Sequence, residues 1–232
     1  MSTPDSPKTI LITGAAGGLG GALARQCAER GAQLVLLDRD KRGLGRVCTE
    51  VETAGAPAPG FCDVDLCTLN PENCNELITG IVESYGALHG LVHCAARFDG
   101  LQPMDQVAGD AWLEHVQVNL NAPWLLAQTA LPALRSANGV MIFSINEEAG
   151  QGAAYWGPYG ATQGALRSMA STFAEETAGT GCHVFCLDPG PMRTGIRAKA
   201  YHSEDPSSVP APEAAASRYC ELLFETGTSS AG

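Results

Sequence analysis

Lysine is scarce in this chain. The 232 residues carry three, Lys8, Lys41 and Lys199, and the formal net charge is -11. No run of Lys or Arg forms a basic stripe, which makes nucleic acid and anionic membrane poor partners, since both need a clustered positive face. No apolar stretch is long enough to span a bilayer. The opening MSTPDSPKTI lacks the charged and apolar regions of a signal peptide, so the expectation is a cytoplasmic protein with no membrane association. Paired-cysteine spacing is absent too. The nine cysteines are an odd number with no CxxC, and neither Cys62/Cys67 nor Cys182/Cys186 has a His at ligand spacing. They read as reduced, buried, small apolar residues, with no metal site.

What is present is a long alternation of two patterns. Short β-rich runs occur at Thr9–Thr13, Gln33–Leu37, Phe61–Val64, Leu88–Cys94, Val140–Ser144 and His183–Leu187. Helical patterns lie between them at Leu19–Arg30, Lys41–Thr53, Glu72–Tyr85, Ala108–Leu134 and Gly157–Ala178, with one more near Pro212–Phe224. Several strands are nearly continuous apolar runs, as in TILIT and QLVLL, the pattern of strands buried on both faces of a parallel sheet. Strand–helix alternation predicts an α/β fold with a doubly wound parallel sheet, and residues 1–232 read as a single domain without internal repeat or linker. His202–Pro212 is polar and Pro-rich and reads as a surface loop.

The first strand runs into Thr13-Gly14-Ala15-Ala16-Gly17-Gly18-Leu19-Gly20-Gly21 and then a helix. A turn this tight lets a pyrophosphate approach the backbone with no Cβ in the way. The helix start then offers free N–H groups and a positive dipole end. Strand before and helix after make this a Rossmann-type dinucleotide site. At the end of the second strand stands Asp38. An acid there accepts hydrogen bonds from ribose hydroxyls and repels a 2′-phosphate, favouring NAD over NADP, while the adjacent Arg39 works in the opposite direction.

With these features the chain resembles the short-chain dehydrogenase/reductase family over nearly its whole length. Thr13-Gly14-x-x-x-Gly18-x-Gly20 matches that family's glycine motif. The resemblance implies an adenine-contacting acid at Asp65, an active-site Asn at Asn119 and a catalytic Tyr at Tyr159. It also implies cofactor contacts from Cys94 and Ala95 after the fourth strand, where the family's Asn-Ala-Gly reads Cys94-Ala95-Ala96, and from Pro189, Gly190 and Thr194 after the sixth. The segments PENC, YWGPYGAT and SEDP are most similar to an enterobacterial subgroup of oxidoreductases of unknown substrate.

The departures from the family pattern carry the functional question. Tyr-x-x-x-Lys reads Tyr159-Gly-Ala-Thr-Gln163, and the family's Ser, thirteen positions before the Tyr, is Asn146. The missing ammonium lowers the Tyr pKa in that family and binds the nicotinamide ribose. Gln163 can hydrogen-bond a ribose but carries no charge, and an unassisted phenol titrates near 10. Alcohol oxidation, which needs a base, suffers more than carbonyl reduction, which uses the protonated phenol as an acid. Asn146 can donate a hydrogen bond to a carbonyl oxygen. Two readings follow: an NAD(P)-dependent oxidoreductase with weak or reductase-biased activity, or a non-catalytic dinucleotide-binding protein acting through a partner. Plainer readings stand beside them: a packing role for Tyr159, and a structural helix role for Asn119.

Two expectations concern assembly and the chain's end. In the resembling family the two helices holding Asn119 and Tyr159 pair across a dimer. Here they offer apolar Trp112, Val116, Leu120 and Trp124 and small Ala161, Gly164, Ala165 and Ser168, so a homodimer is expected. The final edge strand usual in that family has no candidate before the terminal ETGTSSAG, leaving His183–Leu187 as an edge.

Overall fold

The computed structural model describes residues 7–226. The readings made on the first and last six residues lie outside them. In chain order the elements are β1 (Thr9–Thr13), α1 (Gly18–Glu29), β2 (Gln33–Asp38), α2 (Lys41–Thr53), β3 (Gly60–Asp63), α3 (Pro71–Tyr85) and β4 (Gly90–His93). Then come α4 (Gly109–Val116), a π-helical turn (Gln117–Asn121), α5 (Ala122–Ser136), β5 (Val140–Ser144), α6 (Glu147–Gly150), α7 (Gly157–Thr177), β6 (His183–Leu187), α8 (Gly195–Ala200) and α9 (Pro212–Glu225). The six strands form one parallel sheet in the order β3-β2-β1-β4-β5-β6. This is the doubly wound α/β fold, and the order reverses between β1 and β4. A ligand crevice belongs at the carboxyl ends of those strands.

The central strands form because their residues suit burial on both faces. β1 and β4 are buried throughout, and β5 is buried over its first four residues. One core, with Ile10, Ile12, Leu34 and Leu36, packs under α1, α2 and α9; the other, with Leu11, Val35, Leu91 and Phe143, packs under α3, α5 and α7. Alternate strand residues thus serve opposite layers. α9 closes the first layer with fully buried Tyr219 and nearly buried Leu223, each side chain worth about 1.5–3 kcal/mol when removed from water. Among the described residues nothing pairs with the outer side of β6.

Helix starts follow local chemistry. Asp40 caps α2 by accepting from the N–H groups of Arg42 and Gly43 at 3.2 and 3.1 Å. Asn70 caps α3 through the N–H of Asn73 at 2.9 Å, with Pro71 at the first helical position, where a missing N–H costs nothing. The pattern over Ala108–Leu134 is not one helix. It is interrupted by the π turn at Gln117–Asn121. Pro123, just beyond, has no N–H to give the carbonyl four residues back, that of Asn119, which loosens the ladder at this point.

Candidate active site

A cleft of about 650 Å³ opens at the carboxyl ends of the strands. Its floor begins where β1 turns into α1. Gly14 sits at φ +68°, and a Cβ there would lie 2.6 Å from the Ala95 nitrogen; a Cβ on Gly20 would lie 2.3 Å from the Gly14 carbonyl oxygen. Both positions therefore require glycine. Asp38, at the tip of β2, braces this loop. Its Oδ2 accepts from the Ala16 N–H at 3.0 Å and its Oδ1 from the Asp40 N–H at 2.9 Å. Two cations stand nearby, and each faces a carboxylate: Arg39 lies 3.9 Å from Asp65, and Lys41 lies 2.6 Å from Asp63.

The predicted residues Gly14, Gly18, Leu19, Gly20, Asp38, Arg39, Asp65, Cys94, Ala95, Asn146, Tyr159, Gln163, Pro189, Gly190 and Thr194 all line this one cleft. Thr13 and Asn119 do not; they stand behind its wall. The Thr13 hydroxyl accepts from the Ala95 N–H at 3.3 Å and so ties β1 to the end of β4. The Asn119 side chain is 1% exposed. Its oxygen accepts from the Arg97 N–H at 2.7 Å, and its amide donates to the Arg97 carbonyl at 3.0 Å and to Thr162 Oγ1 at 3.2 Å. The plainer reading of Asn119 fits this geometry: it clamps the loop after β4 onto the helix layer.

Just beyond the end of β5, Asn146 is the N-cap of α6, with Oδ1 accepting from the Ala149 N–H at 3.0 Å. Tyr159 and Gln163 lie one turn apart on α7, whose side chains at that spacing share a face. Gln163 is 2% exposed, and its Oε1 accepts from the Asn146 N–H at 2.8 Å. It joins the α7 face to the end of β5. Tyr159 is buried among Phe98 and Trp156, with ring centroids 5.1 and 5.7 Å away. Burial pushes its phenol up to about 12; the Asn146 amide pulls it part of the way back and the Asp188 carboxylate adds to the rise. The sequence expectation of about 10 for an unassisted phenol is therefore too low, because it ignores desolvation.

Sequence reasoning missed Asp188. It bridges two walls of the cleft, accepting from the Glu147 N–H at 2.8 Å and the Gly190 N–H at 2.7 Å. Its signal was its place immediately before Pro189-Gly190. The two acids that follow Asn146 in the chain have other partners. Glu147 lies 3.8 Å from Arg167, and Glu148 meets the Tyr201 hydroxyl at 3.4 Å. Also unforeseen is the apolar wall of Phe98, Trp156, Ile196, Ala200 and Tyr201.

Comparison with known proteins decides the family. The model described as short chain dehydrogenase matches residues 8–205. The chain belongs to the short chain dehydrogenase family. It is 34% identical over 206 residues to the uncharacterized oxidoreductase YciK of Escherichia coli (strain K12), covering 88% of this chain and 81% of that protein. It is 32% identical to the L-fucose dehydrogenase of Oryctolagus cuniculus, where the match spans 64% of the relative's length. A short chain dehydrogenase structure from Salmonella enterica serovar Typhi superposes with a TM-score of 0.89 at 31% identity, covering 96% of this chain and 93% of that one. A provisionally assigned short chain dehydrogenase from Escherichia coli CFT073, complexed with NADPH, superposes at 0.88 with 32% identity, covering 96% and 93%. The fold of this short chain dehydrogenase is thus an oxidoreductase fold, and no helix among its described residues is long and apolar enough to cross a membrane.

Proposed function

We propose that this short chain dehydrogenase is a dinucleotide-dependent oxidoreductase biased toward carbonyl reduction. The observation that carries the reading is the conjunction of a glycine loop open to a ligand with a buried Tyr159 whose phenol is held protonated by its surroundings. A bound dinucleotide would supply the hydride. Its pyrophosphate would rest on Gly14, Gly18, Leu19 and Gly20, its adenosine between Asp38 and Asp65, and its nicotinamide end near Cys94, Ala95, Pro189, Gly190 and Thr194. Tyr159 would give its proton to the carbonyl oxygen, and the Asn146 amide would donate a second hydrogen bond there. Gln163 would offer the ribose a neutral hydrogen bond. Thr13 and Asn119 would act by position alone.

The cofactor preference rests on charge. Asp38 lines the cleft where the adenosine would lie, and the neighbouring cations Arg39 and Lys41 each lie against a carboxylate. Little positive potential is left for a 2′-phosphate, although the solved neighbour from E. coli CFT073 was complexed with NADPH. We expect calorimetry to show binding of both cofactors with NADH the tighter. Failure of either to bind at millimolar concentration removes the whole reading, whereas tighter NADPH removes only the part resting on Asp38.

A second reading has its own observation. The Gln163 side-chain oxygen is taken by the Asn146 N–H, its amide carries no charge, and among the described residues no cation partners Tyr159. A protein that binds the dinucleotide without turning it over and works through a partner would need neither. NADH binding without reduction of any compound on a carbonyl panel would favour this alternative.

The assembly we propose is a homodimer in the cytoplasm, formed through α4, α5 and α7. Trp112, Leu113 and Trp124 are exposed there at 37%, 67% and 47%. Leu131, Met169 and Phe173 line an adjoining groove. Gly164 does not belong to that face. A Cβ on it would lie 2.9 Å from the Gly150 carbonyl oxygen, so its small size serves the contact between α6 and α7. Light scattering should give the mass of a dimer; a monomer or tetramer contradicts this.

A further inference from the structure

The cleft wall holds four cations, and three are already matched. Arg97 faces Asp99 at 2.8 Å and Glu114 at 2.7 Å, Arg197 faces Glu204 at 2.5 Å, and Arg39 faces Asp65. Lys199 is different. Among the described residues no carboxylate lies within ion-pair distance of it. The residue is exposed, and its ammonium donates to the Phe98 carbonyl at 3.2 Å. Phe98 belongs to the ring cluster, 5.4 Å from Trp156 and 5.1 Å from Tyr159, and Trp156 continues to Tyr201 at 6.3 Å. The unmatched charge is therefore anchored to the backbone of the residue whose ring walls the space beside Tyr159.

We propose that the substrate of this site is an aldehyde or ketone with a flat apolar or aromatic body and a carboxylate at the far end, the carboxylate taken by Lys199. This rests on the oxidoreductase reading above. The carbonyl would lie at Tyr159 and Asn146, the body against Phe98, Trp156 and Tyr201, where faces and edges of rings suit another ring. The carboxylate would meet an ammonium that has no competing anion to displace. A polyhydroxylated sugar fits poorly. It needs a hydrogen-bond partner for each hydroxyl it desolvates, and this wall is mostly carbon. The same wall explains why the other two cations beside it do not serve. Arg97 and Arg197 would have to give up carboxylates that they already hold at short distance.

The test uses the full chain with NADH present and three probes: 4-carboxybenzaldehyde, its methyl ester, and L-fucose. Binding is followed by calorimetry and by quenching of tryptophan fluorescence, so that it is measured whether or not turnover occurs. NADH is titrated first. Failure of that titration counts against the oxidoreductase reading, while the ranking of the probes counts for or against the substrate class. The free acid should bind roughly tenfold more tightly than the ester, with the difference shrinking as salt is added. Lys199→Ala should abolish the difference between acid and ester, and Lys199→Arg should restore most of it. Lys199 is exposed, so both variants should fold, which circular dichroism checks. Equal binding of acid and ester by the wild type overturns the proposal, as does a preference that survives Lys199→Ala, tighter binding of L-fucose than of either aldehyde, or binding of no probe at all.

Discussion

Replacing Gln163 by Lys and Asn146 by Ser together should raise alcohol oxidation at neutral pH by roughly a hundredfold or more. Oxidation needs the phenolate of Tyr159. With its phenol at about 12, only about one molecule in a hundred thousand carries the phenolate at pH 7, and each unit recovered is worth about 1.4 kcal/mol. A lysine at 163 would place an ammonium one turn from the phenol, on the same face of α7, and in reach of a ribose. The serine keeps the cap on α6, since Ser replaces Asn in that role at little cost, and it frees the space that the longer amide fills. The two residues act as a unit, so their effects need not add.

The change is not free of structural consequence. Gln163 now accepts the Asn146 N–H at 2.8 Å, and lysine has no acceptor. Leaving that half-buried group unpaired costs about 1 kcal/mol or more, so the variant should melt a few degrees lower than wild type and regain part of this with NAD bound. The wild type itself should oxidise, if at all, with a rate climbing tenfold per pH unit and no plateau below pH 10. Measurements belong below that point. The folded-state pKa of Tyr159 is raised above its unfolded value, so its contribution to stability is intact below about pH 10 and is lost as pH rises further. A wild type that oxidises well at pH 7, or levels off below pH 9, shows that the site is not disabled. A double variant that binds NAD(H) and stays inert on a broad panel supports the binding-protein alternative.

The second large effect should come from Gly20→Ala. The added Cβ would stand 2.3 Å from the Gly14 carbonyl oxygen and 2.8 Å from its carbon. These are backbone atoms of the very loop on which a pyrophosphate would sit, and Gly14 cannot retreat, since it already lies hard against the backbone of Ala95. Either α1 moves out or the loop opens. Overpacking of this kind costs about 1–3 kcal/mol and occasionally more, and NADH affinity should fall by roughly a hundredfold, because phosphate binding depends on the aim of the helix-start N–H groups. Gly45→Ala on α2 is the control. A Cβ there meets nothing within 4 Å, so stability should stay level or rise by about 0.5–1 kcal/mol. Calorimetry with NADH and a melting curve on each variant decide it. A Gly20→Ala protein that binds NADH like wild type removes the glycine loop from the proposed cofactor site.

The layout of the sheet was legible because burial on both faces leaves a direct trace. TILIT and VMIFS announce strands without help from their neighbours, and β1 and β5 fall where the sequence puts them; β6, half-buried at the edge, also falls on its β-rich run HVFCL. The break at Gln117–Asn121 was not legible. The apolar period continues through it, and its cause includes a tertiary bond between Asn119 and the backbone of Arg97, twenty-two residues earlier. α6 is four residues long, too short for any period, and only the Asn146-Glu147-Glu148 start carried a trace of it. Most of the candidate site was readable because motif spacing placed its members around one turn and one helix face. Asp188 was missed for the opposite reason. Its importance comes from reaching the N–H of Glu147, forty-one residues away, and from its charge beside Tyr159.

Asp38 limits how this protein could be re-engineered. A carboxylate at the tip of β2 is the first residue a designer would remove to admit a 2′-phosphate. Here the same carboxylate is a strut. Its two oxygens hold the N–H groups of Ala16 and Asp40, one in the glycine loop and the other at the start of α2. Exchange for a neutral small residue would relax discrimination and slacken the turn that holds the ligand at once. A designed NADP-specific version therefore has to supply a replacement brace for Ala16 before it adds a single arginine.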